Sequence, residues 1–166
     1  MSKSKGNAGE RELCRILADT FAGSFIRVPN SGAFTGGKNA SRMATMSAGQ
    51  VRASKGDIIP PDHMPRLVIE AKFYKDFRFH QLLSACPQLD AWLEQAAVSA
   101  GPDDLSLVCF KINRVGWYVA LPTNPAFTLG SHATYQTTTG QYLVAPLGDF
   151  LARNQAEVLR LSQPSP

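Results

Sequence analysis

The chain has 166 residues, 44% hydrophobic and 18% charged, with a formal net charge of +4. That composition suits one domain with a buried core and excludes a disordered or collagen-like chain. No apolar run approaches the roughly 20 residues that span a bilayer. Met1 to Gly9 is too polar and basic for a secretory signal, so a cytoplasmic protein with no membrane contact is expected.

The first helix is expected over residues 6–22, where Leu13, Ile16, Leu17, Thr20 and Phe21 recur at helical spacing and Gly23 closes the run. A short strand follows over 24–29. Residues 30–55 are rich in Gly, Ser, Ala and Thr, with few apolar residues, and read as a long, mobile basic loop able to close over a ligand. Gly56 to Pro60 is a short strand, and a proline-rich turn leads to a second over Arg66 to Tyr74. Residues 77–98 are helical, with a bend or restart at Pro87. Leu105 to Lys111 and Gly116 to Leu121 form two strands joined by the Asn113-Arg114 turn. Residues 122–140 look irregular, Tyr142 to Ala145 suggests a short strand, and Leu147 to Leu161 a closing amphipathic helix whose apolar face is read as core. The order predicts an α/β fold, a central mixed sheet flanked by helices. The expected organisation is a single domain over 1–166.

Charge is distributed unevenly. Residues 1–55 carry nine Lys and Arg against Glu10, Glu12 and Asp19. A basic half points to a polyanionic partner, most simply nucleic acid, although solvated surface gives the same signal. The cysteines Cys14, Cys86 and Cys109 are scattered, and the three histidines lack metal-ligand spacing, so reduced thiols and no zinc site are expected.

The strand Leu67-Val68-Ile69-Glu70-Ala71-Lys72-Phe73 places two charges inside an apolar run. Alternation sets Glu70 and Lys72 on one face and Ile69, Ala71 and Phe73 on the other. A solvated Glu–Lys pair is the plain alternative, but buried charges need a partner or a metal. A hairpin would bring Asp57 beside Glu70. Two close carboxylates repel unless a cation sits between them, and Mg²⁺ prefers oxygen ligands. Lys72 would then hold an attacking water or offset charge developing on a phosphate. On a helical wheel Glu10 shares the face of Leu13, Ile16 and Leu17, whereas Arg11, Glu12 and Arg15 fall on the opposite side. Glu10 is therefore expected to point toward the sheet, unless it only complements the helix dipole. Gln81 or Gln88 of the next helix is a candidate to reach the site, although a solvated helix glutamine is the plainer reading.

The order Lys5-Gly6-Asn7-Ala8-Gly9-Glu10-Arg11-Glu12-Leu13, Arg27, Ser31-Gly32, Gly56-Asp57-Ile58, Ile69-Glu70-Ala71-Lys72 and Val115-Gly116-Trp117-Tyr118 resembles the archaeal-type Holliday junction resolvases. These belong to the PD-(D/E)xK nuclease superfamily. The likeness covers roughly residues 3–121. It implies a restriction-endonuclease-like core and a homodimer that cuts branched DNA with Mg²⁺, for which Mn²⁺ can substitute. It implies a catalytic set of Glu10, Asp57, Glu70 and Lys72. The implied metal ligands are Asp57, Glu70 and the Ala71 carbonyl, with Glu10 on a second ion or a water. Lys5, Arg11, Arg27, Ser31, Lys38, Arg42, Arg52, Lys55, Lys75 and Arg78 are the expected DNA-contacting residues. Two features depart from the family: the long loop to Lys55, and a C-terminal extension over 122–166 with no counterpart. Another nuclease of the same fold (restriction-like, or nick- and flap-processing) and a non-enzymatic DNA-binding module remain alternatives.

Overall fold

In a computed structural model, residues 3–28 and 55–164 are described, with residues 3–5 described by their backbone alone. The expected basic loop, and with it Ser31, Lys38, Arg42 and Arg52, lies outside the described residues.

The elements run α1 (Lys3–Thr20), β1 (Ile26–Arg27), β2 (Ile58–Ile59), β3 (Leu67–Tyr74), a 3-10 turn (Phe79–Leu83) and α2 (Pro87–Ser99). They continue through β4 (Leu105–Ile112), β5 (Gly116–Pro122), β6 (Ala133–Gln136), β7 (Gln141–Pro146) and α3 (Leu147–Ser162). One seven-stranded sheet has the order β1-β2-β3-β4-β5-β7-β6. β3 and β4 are parallel, with Glu70 opposite Val108 and Lys72 opposite Phe110. The other pairs are antiparallel. The predicted α/β class with a mixed sheet is what the structure has.

Alternation along β3 and β4 sorts the core into two layers. Leu67, Ile69, Leu107 and Cys109 pack with Leu13 and Leu17 of α1, with Phe21 just after it, and with Phe150, Leu151 and Val158 of α3. Val108, Phe110 and Ile112 pack with Leu89, Trp92, Leu93 and Ala96 of α2. The face of Glu70 and Lys72 is thus the α2 face.

Two expectations need correction. The helix expected over 77–98 is a 3-10 turn and then a helix that starts at Pro87, where proline's fixed φ suits a first turn. The irregular stretch over 122–140 contains β6, an edge strand of only four residues paired to β7. The C-terminal extension supports the core as its closing helix led us to expect: β7 pairs along β5, and α3 packs on the sheet.

Candidate active site

The site grows from the edge of β3. Gly56 has φ +68°, and a Cβ there would lie 2.5 Å from the Ile69 carbonyl oxygen. Glycine therefore lets the chain turn against β3. Asp57 N–H donates to Ile69 O at 2.7 Å, and Ile58 pairs with Ile69. Continuing that antiparallel register sets Asp57 opposite Glu70. The Ala71 N–H donates to Asp57 Oδ2 at 2.6 Å. A side-chain carboxylate thus takes the place of a backbone acceptor on the β3 edge, which fixes the acid beside Glu70.

Both acids are nearly sealed from solvent, Glu70 at 1% and Asp57 at 7% exposure. Glu70 Oε2 is buried without a hydrogen-bond partner. Burial, then the Asp57 charge and the hydrogen bond shared with it, push the Glu70 carboxyl up to about 8. Lys72 and the Ser99 hydroxyl pull it back only in part. A carboxyl raised this far keeps its proton at neutral pH, which spares the site a second buried negative charge beside Asp57. A divalent ion in place of that proton would neutralise both acids and give Oε2 a partner. The donor set is all oxygen, which fits a hard cation.

Lys72 emerges from the same strand face and its ammonium donates to Gln95 Oε1 of α2. Glu10 accepts from Arg27 Nε at 2.7 Å, and Arg27 also donates to Asn7 Oδ1 at 2.5 Å. Glu12 accepts from Lys111 Nζ at 2.8 Å and from the Trp117 indole N–H at 2.8 Å. These contacts hold the Glu12 carboxyl below its ordinary range, the Lys111 hydrogen bond contributing most. α1 approaches β3 closely because Gly9 faces Phe73: a Cβ at Gly9 would land inside the Phe73 ring.

The result is a cleft of about 1240 Å³. Its lining includes Gly9, Glu10 and Glu12 from α1, Asp57, and Ala71 to Lys75. Gln95, Lys111 and Asn113 also line it. Glu10, Asp57, Ala71 and Lys72 therefore share one cleft, and Glu70 lies beneath it. Among the described residues no three Asp, Glu, His or Cys side chains converge as a metal cluster. Glu10 stands on the cleft wall in an ion pair with Arg27 rather than in a triad with Asp57 and Glu70.

The expected DNA-contacting residues are dispersed. Lys75 lines the cleft, and Arg11 and Arg78 are exposed. Arg27 is occupied by Glu10, and Lys55 is paired at 2.8 Å with Asp104. The wheel reading of Glu12 needs correction. The stripe of Leu13, Ile16, Leu17 and Thr20 leaves Glu10 about 70° to one side and Glu12 about 90° to the other. Both acids therefore flank the stripe, and both reach the cleft. Gln95 takes the place expected of Gln81 or Gln88. The sequence did not single it out: Gln95 lies about 110° from the buried stripe of Leu89, Trp92, Leu93 and Ala96, and Gln88 about 90° on the same side.

Among the described residues no helix is long and apolar enough to cross a membrane. Residues 1–145 match the family described as "Phage putative PDDEXK endonuclease". The chain is 30% identical over 129 residues to "Protein D14" of Escherichia phage T5, covering 74% of this chain and 72% of that protein. No solved structure matches. An acid pair on a hairpin, a Glu-x-Lys strand and the family match agree, and the chain belongs to the phage PD-(D/E)xK endonuclease family.

Proposed function

We propose that the protein is a structure-selective DNA endonuclease that hydrolyses phosphodiesters with Mg²⁺ and resolves four-way junctions as a homodimer, one cleft per strand to be cut. The observation that carries the catalytic part is the buried Asp57–Glu70 pair, with its unpartnered Glu70 Oε2, directly beside Lys72. Structure-dependence of the single catalytic domain and its work on cytoplasmic DNA are part of the same reading.

Asp57, Glu70 and the Ala71 carbonyl would hold the metal. When bound, it supplies Lewis-acid polarisation of the phosphate and a lowered pKa for its water. Lys72, steadied by Gln95, orients the attacking water and offsets charge gathering on the phosphate oxygens. Glu10, steadied by Arg27, accepts hydrogen bonds from the water on the opposite wall of the cleft. Arg11, Lys75 and Arg78 attract the sugar-phosphate backbone, and such contacts carry affinity without sequence information.

The test is cleavage of a synthetic four-way junction with and without Mg²⁺, beside linear duplex and flapped DNA. Paired symmetric nicks in the junction are expected, with linear duplex cut far more slowly. Equal cutting of all substrates would replace junction resolution with a restriction-like activity, and preferred cutting of flaps would replace it with flap processing. DNA binding without cleavage in Mg²⁺ or Mn²⁺ would leave a binding module. Asp57→Asn should abolish cleavage while leaving binding largely intact.

A further inference from the structure

We propose that Tyr74, with Phe79 beyond it, is a stacking platform for unpaired nucleobases next to the scissile phosphate. The platform favours DNA whose bases come unstacked at a branch over continuous duplex. This inference rests on the nuclease reading and names the substrate feature that the cleft recognises.

Tyr74 ends β3 and, by strand alternation, lies on the face of Glu70 and Lys72. Two residues of strand separate it from Lys72 by about 6.8 Å. A phosphate held at Lys72 therefore leaves the adjoining nucleoside at Tyr74. The Tyr74 ring is 46% exposed and lines the cleft. It is also backed: buried Trp92 lies 5.0 Å behind it, and Trp92 is itself wedged against Phe77 and Phe110 at 5.8 and 5.2 Å. Phe79 is 40% exposed and rests on Phe77 and Tyr118 at 4.9 and 5.0 Å. Each ring is thus fixed from behind while leaving surface open, so a flat ligand meets a preorganised face.

Charge identifies the occupant. Lys75 and Arg78 alternate with the rings along the chain and are exposed, against the one acid Asp76. The β4–β5 turn adds exposed Arg114, and it is tied to this end of β3 by the Asn113 N–H donating to Tyr74 O at 2.9 Å. Aromatic faces interleaved with cations suit a polyanion that carries planar rings better than an apolar protein surface. Paired bases in duplex DNA show only their edges in the grooves, so a stacking face selects unpaired ones.

The experiment uses the full chain in metal-free buffer, where cleavage does not interfere. Splayed DNA carries 2-aminopurine at the unpaired position next to the branch, and fully paired duplex is the control. Wild type and Tyr74→Phe should quench the fluorophore and bind splayed DNA in preference to duplex. Tyr74→Leu should lose the quench and lower the splayed-to-duplex affinity ratio about 5- to 100-fold, and Phe79→Leu should lower it in the same direction. Melting curves check that each variant is folded.

An unchanged ratio and quench in Tyr74→Leu would overturn the platform, as would a wild type with no preference for unpaired DNA. Concentration-dependent dimers abolished by Tyr74→Leu, without a change in DNA preference, would assign the face to self-association instead. Failure of wild type to cut any DNA in Mg²⁺ or Mn²⁺ would sink the nuclease reading, and the fluorescence result would be judged separately.

Discussion

Replacing Glu70 with Gln removes one titrating carboxyl from a buried pair. In the metal-free protein that carboxyl sits at about 8 against an ordinary 4.5. At about 1.4 kcal/mol per pKa unit, holding it neutral while the unfolded chain ionises costs about 3 kcal/mol at pH 7 and about 5 above pH 8. The sign follows from proton counting. Between 4.5 and 8 the folded protein binds more protons than the unfolded one, so stability falls as pH rises through that window. Below 4.5 the stabilisation is fully present. For a chain of this size the loss lowers the melting temperature by roughly 10 °C or more. Glu70→Gln keeps the shape, carries no charge to neutralise, and should remove this contribution to the pH 5–8.5 slope in thermal or urea denaturation with chelator present. It should also abolish cleavage while DNA binding persists. Added Mg²⁺ should raise wild-type stability at pH 8.5 and leave the variant unmoved. Parallel pH profiles for wild type and Glu70→Gln would refute the claim that burial beside Asp57 keeps Glu70 protonated.

Gln95→Leu removes the acceptor that steadies Lys72, and the cleavage rate should fall about 10- to 100-fold with little change in KM. Gln95→Glu, which keeps an acceptor, should recover part of it, and single-turnover kinetics separate the two. Gly56→Ala forces a side chain into a left-handed backbone position and against the Ile69 carbonyl. The backbone conformation alone costs about 1–2 kcal/mol, so urea denaturation should show at least that loss, with cleavage reduced because Asp57 is displaced. Glu12 is held below its ordinary range by Lys111 and Trp117, so its contribution is present above pH 4.5 and lost on acidification. Glu12→Gln should soften the acid limb of the stability profile by under about 1 kcal/mol, since the pair is partly exposed.

The acid pair was legible because its logic is local. Alternation alone sets Glu70 beside Lys72, and one hairpin register sets Asp57 opposite Glu70. β6 was hidden because Ala133 to Gln136 buries little beyond Tyr135, whose hydroxyl is tied to Asp90 and the Cys86 N–H across the fold. Glu12 was misplaced for a geometric reason: an acid about 90° from the stripe is inside or outside depending on what packs beside the helix, here Lys111 and Trp117. Arg27 was expected on DNA, and Lys55 likewise. Their partners Glu10 and Asp104 are remote in sequence, and no spacing rule links them.

The closing helix α3 ties the core to the end of the chain. It covers the same sheet face that seats α1. The last residue of α3 is also tied to the residue before β3, with Arg66 N–H donating to Ser162 O at 3.0 Å, and Gln155 Nε2 donates to Thr20 O at 2.6 Å. Asp57, Glu70 and Lys72 all precede α3 in the chain, so the core layer behind their strand is covered only once residues 147–162 are in place. A chain cut short before Leu147 would leave Leu107, Cys109 and the inner face of α1 partly bare, an apolar surface prone to association.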